Sequence, residues 1–351
     1  MAEHEAGPGA APAVRRMAAA RRMAAVRRIA VGRQAALARR IAQAVAVVWA
    51  AFTVTFLTVR LLPGDPVALM LTGSNGFSTP TAEQIAEARS RLGYDHPLVV
   101  QYLRALADAT HGDFGASIQT GRPVSSMISE ALPSTLRLGA AALVLALVVG
   151  TAVGLLANLA PLPFLRQALR SLPAAGISLP SFWVGLMLLQ LLSFRWHVFP
   201  TLDGSGPRQL VLPACTLALP GAALMAQVVG RSLHDSLHRP WADTLRAAGL
   251  APGRLLVAHG LRGAALPALT VLGLLVGNLI GGAVVVETVF SRPGMGLITQ
   301  AAVGAQDLPV VQGVVVVAAI GFAATNLVVD LLYPVLDPRL RGGPAAVGVA
   351  G

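Results

Sequence analysis

The stretch LRLGAAALVLALVVGTAVGLLA, residues 136–157, contains one charged residue, Arg137, in an otherwise apolar run. A helix rises about 1.5 Å per residue, so about 20 apolar residues cross a hydrocarbon core of about 30 Å. This run is therefore long enough to span a bilayer. Five further segments qualify on the same ground: 41–61, 172–194, 210–229, 266–290 and 309–333. Gly and Pro inside them do not count against the reading, since both are commoner in membrane helices than in soluble ones. The sequence thus predicts an all-α, polytopic membrane protein with six transmembrane helices.

Composition agrees. Of 351 residues, 55% are hydrophobic and only 12% charged, and the mean hydropathy is +0.67. A soluble domain carries about a quarter of its residues as charges, so much of this surface faces something other than water. Every basic residue is Arg, and the net charge is +11. The Arg residues sit at the ends of apolar segments and in short loops, which reads as membrane topology and not as a nucleic-acid surface. The single cysteine, Cys215, lies inside an apolar run. No disulfide framework or zinc pattern follows, and a small buried hydrophobe is expected there.

Short cytoplasmic loops are enriched in Arg and Lys. Residues 1–40 carry nine Arg, and the loop after the fourth span holds Arg231, Arg239, Arg246, Arg254 and Arg262 against Asp235 and Asp243. The loop 62–134 has four Arg and seven acids, a balance of −3. Both termini are therefore expected inside and the long loop outside. The arm 1–40 lacks a clean apolar face, because its Arg pairs rotate by about 240° from one to the next on a helix. It is expected to be a disordered basic arm drawn to anionic headgroups. A start at Met17 or Met23 and an organelle transit peptide are the competing readings. The remaining divisions are a first span 41–61, an external subdomain 62–134, a core 135–341 containing the loop 231–263, and a tail 342–351.

In the outer loop, Thr81 is expected to cap a short helix over 81–92 with Glu83 in its first turn. A second helix is expected over 97–109, then a turn cluster Gly112-Asp113-Phe114-Gly115, and then 123–132 leading into the second span. A cap of this size is small for a separate catalytic domain. Enzyme constellations are missing from the pattern: the seven His are scattered, and without Lys there is no phosphate-cradling Gly-Lys-Ser/Thr loop.

The loop between the fourth and fifth spans reads SLHDSLHRPWADTLRAAGLAPGRLLVAHGLRGAAL, residues 232–266. Pro240 suits the first turn of a helix, and Gly249 suits its C′ position. Trp241, Leu245 and Ala248 form an apolar stripe at i, i+4 and i+7. A helix this short is not stable alone, so it must dock on something. Packing on its own bundle and docking on a partner are both compatible with the pattern.

The run Asp243-Thr244-Leu245-Arg246-Ala247-Ala248-Gly249, with nine residues between Gly249 and His259, resembles the signature loop of ATP-binding-cassette importer permeases. The resemblance is closest to the dipeptide/oligopeptide/nickel branch. Thr244, Arg246, Ala247, Gly249, His259, Leu261, Arg262 and Pro267 match that branch. Pro240, Asp243, Leu245, Ala248, Gly260 and Gly263 depart from it. The resemblance extends from Ile41 to Arg341 through RLLPGDP (60–66), LGYDHPL (92–98), Gly112 to Ser117, PSFWVG (180–185), VVVETVF (284–290), PGMG (293–296), PVVQG (309–313) and the tail from Asp330 to Arg339.

What the resemblance implies is a permease subunit in a bacterial inner membrane, not an enzyme by itself, with no cofactor on this chain. It would pair with a second homologous permease, receive peptides or similar small solutes from an extracytoplasmic solute-binding protein, and be driven by two ATPase subunits carrying ATP and Mg. Membrane lipid is a further partner; nucleic acid is not. Residues Trp241 to Gly249 and His259 would be the ATPase-coupling element. Gln190, Asn278 and Glu287 are candidates for the translocation path, with helix-to-helix bonding as the alternative for Gln190 and Asn278. For Glu287 and Asp330, near span ends, a structural role is the favoured reading, satisfied by loop backbone or a nearby Arg. Gly277, Gly281 and Gly282 predict close approach by the fifth span. An ion-gradient-driven secondary transporter would show inverted repeats and midplane acids, and an intramembrane protease a buried Ser/His or paired Asp set; the spans display neither. A membrane anchor without a pathway stays open on pattern alone.

Overall fold

The computed structural model describes residues 38–58, 81–91, 95–199, 206 and 208–336. The basic arm up to residue 37, the motif 60–66, the start of the motif 92–98 and the tail beyond 336 lie outside the described residues. Those that are described are nearly all helical; no strand occurs among them, only a single antiparallel bridge between Ala116 and Pro123.

Five helices are long and apolar enough to cross a membrane. They are α1 (Ala38–Thr58), α4 (Val124–Leu159), α7 (Arg208–Leu237), α9 (Pro252–Val289) and α11 (Leu308–Leu336). Between them lie α2 (Ala82–Arg91), α3 (Leu98–Thr110), α5 (Pro163–Ser178), α6 (Ser181–Leu188), α8 (Pro240–Ala247) and α10 (Met295–Gly304). The π-helical stretches Leu189–Arg195 and Leu256–Gly260 extend α6 and interrupt α9.

The third expected span, 172–194, is not one straight helix. It breaks into α5 and α6, bent by 101°. Pro180 is the cause. Its ring disfavours the helical region for the residue before it, and Leu179 is extended at φ −83°, ψ 128°. The bundle therefore holds five spans, or six if the bent pair is one span. The second span also begins earlier than hydropathy indicates, because α4 starts at Val124 behind Pro123 and runs for 36 residues.

The tightest packing joins α4 to α7. Ala142, Ala146, Gly150 and Gly154 recur every four residues on α4, and Ala218, Ala222, Ala226 and Gly230 do so on α7. Stripes of small residues let helix backbones approach closely. A Cβ on Gly150 would stand 2.6 Å from both the Ala222 carbonyl oxygen and Met225 Cβ. Of the fifth-span glycines, Gly277 faces Phe322 and Gly282 faces Leu217, but Gly281 has open space around it. Cys215 corrects an expectation: it is exposed on this chain, although its neighbours Ala214 and Thr216 are buried.

α1 is clamped at both ends. Arg40 pairs with the Asp330 carboxylate at 3.4 Å and donates to its carbonyl at 2.7 Å, so the nearby Arg expected for Asp330 is present. Further along, Phe52 and Phe56 pack on Tyr102 of α3 and on Val316 of α11. The start of α1 and the end of α11 thus lie at one end of the bundle. Between α1 and α4, Thr81 caps α2 reciprocally. Its hydroxyl accepts from the Gln84 amide at 3.3 Å, and its own amide donates to Gln84 Oε1 at 3.0 Å.

Candidate coupling segment, helix clasps and cavities

α8 is a two-turn helix with Pro240 in its first turn and Gly249 at φ +83° beyond its end. That left-handed conformation suits Gly and closes the helix. The helix sits on the bundle through Ala242, which is fully buried, with Trp241 and Leu245 half-buried beside it. The Trp241 ring lies 6.2 Å from that of His259, so the structure brings those two predicted residues together. Arg246 donates to Asp243 at 2.6 Å and to the Leu237 carbonyl at 2.8 Å, tying α8 back to α7. The buried seam is rotated from the expected one: Ala248 is exposed, and Ala242 takes the inner place. Asp243, Thr244, Arg246, Ala247, Ala248 and Gly249 all remain exposed.

Glu287 is fully buried. Its carboxylate accepts from the Thr135 hydroxyl at 2.7 Å and from the Gly296 amide at 2.6 Å, and Thr135 in turn accepts from the Met295 amide at 2.8 Å. One carboxylate thereby joins α4, α9 and the first turn of α10, where the helix dipole favours an anion. Gly294 and Gly296 are small for its sake, since a Cβ on either would meet a carboxylate oxygen, at 2.3 Å and 2.8 Å respectively. In the loop beyond α9, burial pulls the Arg292 guanidinium below its ordinary value and Glu287 acts against that; Arg remains charged throughout.

Sequence reading missed Asp307. It is buried, and it accepts the Ser117 hydroxyl and the amides of Ile118 at 3.1 Å and Gln119 at 3.4 Å. The available signal was an acid placed directly before the Leu308-Pro309 helix start, a cap position. The cluster Gly112 to Ser117 is built to reach it. Gly112 and Gly115 are both left-handed, and Asp113 accepts from the Gly115 amide at 2.8 Å.

Asn278 borders two cavities. One, of about 300 Å³, is walled by Ala146, Ser181, Leu217, Pro220 and Leu275. The other, of about 580 Å³, lies between α9 and α11 against Phe322, Asn326 and Asp330. Neither is lined by Gln190, which is exposed on the π-helical end of α6, or by Glu287. Neither of these two cavities brings the three path candidates together. No cluster of three metal-ligating side chains occurs among the described residues.

A bundle of apolar spans with a short helix held outside it defines a polytopic membrane protein. Residues 150–342 match the family model described as binding-protein-dependent transport system inner membrane component. Residues 34–139 match the model for the N-terminal part of such membrane components. The chain is 36% identical to a probable D,D-dipeptide transport system permease protein of Escherichia coli (strain K12), covering 85% of this chain and 95% of that one. It is 34% identical to a probable peptide ABC transporter permease protein of Sinorhizobium fredii, covering 85% and 96%. It is also 36% identical to a glutathione transport system permease protein of Salmonella paratyphi A, covering 82% and 92%. This chain belongs to the family of binding-protein-dependent transport system inner membrane components.

Proposed function

We propose that this chain is the permease subunit of an ATP-driven importer for peptides or similar small solutes, and that α8 is where ATPase motion enters it. The relatives support the solute class, since two are named for peptides or dipeptides and a third for glutathione, itself a small peptide. In this reading a second homologous permease completes the pathway, and an extracytoplasmic solute-binding protein delivers to the outer loop. Two ATPase subunits hold ATP and Mg. Both termini and the loop 231–263 are cytoplasmic, in keeping with the Arg bias. The chain itself transmits mechanical work, with its spans rocking between inward and outward openings. The family lends no support to a gradient-driven mechanism.

The observation that carries the reading is the two-sided construction of α8: Ala242 is buried with Trp241 and Leu245 half-buried beside it, while Asp243, Thr244, Arg246, Ala247, Ala248 and Gly249 are exposed. A helix of eight residues held on one side presents the other rigidly to a partner. The test is solute-stimulated ATPase activity of the purified complex in liposomes, comparing wild type with Gly249→Asp and Gly249→Asn. Asn is nearly isosteric with Asp and tolerates the left-handed conformation, so it isolates the added charge from backbone strain. Coupling predicts that Asp abolishes stimulation and Asn largely keeps it. Equal activity in all three would reduce the loop to a connector.

A further inference from the structure

At the end of the bundle that bears α8, a cavity of about 440 Å³ opens between α4, α5 and α7. Arg170, Arg231 and His234 line it together with Asn158 and Gln227, above walls that include Val153 and Leu169. Arg170 Nη2 donates to His234 Nδ1 at 3.4 Å, so the guanidinium sits beside a neutral imidazole whose Nε2–H is its remaining donor. Neither Arg170 nor Arg231 has a carboxylate within ion-pair distance among the described residues. Asp235, next to His234 in sequence, acts on that imidazole electrostatically but does not line the cavity. Its floor is fixed, because Asn158 donates to the Gly154 carbonyl at 2.9 Å and to the Gly230 carbonyl at 3.0 Å, pinning α4 to α7.

We propose that this cavity binds the phosphate headgroup of an anionic phospholipid, with Arg170, Arg231 and His234 as the anion-holding groups. Cations without acidic partners, gathered in a pocket between spans near the membrane surface, have the chemistry of a lipid-phosphate site. The surroundings favour a lipid over a soluble phosphate. Apolar walls continue below the cationic rim, and α5 exposes Phe164 (85%), Leu165 (43%) and Leu172 (56%). Those side chains suit acyl chains and offer nothing to a hydrated ion. The groups that hold the headgroup come from α5 and α7, with Asn158 of α4 below them, so a bound lipid would brace the same helices that lead into α8.

The test is native mass spectrometry of the complex released from nanodiscs that mix phosphatidylglycerol or cardiolipin with phosphatidylcholine. Retained lipid is counted for wild type, Arg170→Gln/Arg231→Gln, Arg170→Lys/Arg231→Lys, and Arg254→Gln as a cation outside the cavity. Wild type, the Lys pair and Arg254→Gln should retain one more anionic lipid than the Gln pair, which should bind it about thirtyfold more weakly. Phosphatidylcholine should show no such difference. Equal retention by all four proteins would overturn the site. Displacement of the retained lipid by inorganic phosphate, but not by sodium chloride at equal ionic strength, would make the ligand a soluble phosphate and overturn the lipid assignment.

Discussion

Ser117 and Asp307, 190 positions apart, meet through a short hydrogen bond in which the serine hydroxyl donates to a buried carboxylate. The amides of Ile118 and Gln119 donate to the same group. A turn of the segment between α3 and α4 is thus fastened to the junction of α10 and α11, and Gly313 lies against Val124, Ile128 and Phe114 just beyond it. The motifs around Phe114 and Gly313 are two halves of one joint.

Asp307→Ala leaves the Ser117 hydroxyl and two amides without their acceptor. Losing hydrogen bonds to a charged, buried acceptor costs about 2–3 kcal/mol. The expected result is a lower Tm of the purified protein and faster proteolysis within residues 111–123. Asp307→Asn, which keeps one acceptor oxygen, should show a smaller loss. Unchanged proteolysis in Asp307→Ala would mean the joint is held by its apolar contacts alone.

Gly294→Ala and Gly296→Ala should both disrupt the Glu287 clasp, the second more severely. At Gly294 the new methyl meets only the end of the Glu287 side chain, at 2.3–2.4 Å, which has some freedom to turn away. At Gly296 it meets the Val284 backbone at 2.5 Å, which has none. Overpacking of this kind costs about 1–3 kcal/mol. Thermal melting of both variants, with Glu287→Gln for comparison, should rank Gly296→Ala lowest of the two glycine changes.

The spans were legible in the sequence because hydropathy over about 20 residues is a local property. So was the Thr81 cap, whose partner Gln84 lies one turn away. The 101° bend was legible in principle at Pro180, but a mainly apolar run without a single charge masked it. The inner seam of α8 came out one residue off. Trp241, Leu245 and Ala248 fit a helix stripe, yet the two-turn helix buries the small Ala242 and leaves Ala248 exposed. The Asp307 and Glu287 clasps depend on partners 190 and 152 residues away. A local reading ranks such acids by their depth in the membrane, not by what they hold.

Gly150→Ala and Gly281→Ala separate packing from composition. Both glycines lie in spans, but a Cβ at Gly150 collides with the α7 backbone at 2.6 Å and one at Gly281 meets nothing within 4 Å. The first should destabilise by about 1–3 kcal/mol. The second should be neutral or slightly stabilising, since Ala is the better helix former. Melting curves in the same detergent decide it, and equal shifts would contradict the close crossing of α4 and α7.

Ala242 and Ala247 test which side of α8 serves the fold and which serves coupling. Ala242 is fully buried against the bundle, whereas Ala247 is exposed one turn further on. Arg at position 242 would have to place a cation in a closed seam, so Ala242→Arg should unseat the helix and lower both Tm and solute-stimulated ATPase activity. Position 247 is exposed, so an Arg there has room to project outward. Ala247→Arg should therefore leave stability within about 0.5 kcal/mol of wild type, while the added side chain blocks docking and removes stimulation. A variant Ala247→Arg that stays fully stimulated would assign the partner contact to another face, and α8 would then act only as the link between α7 and α9.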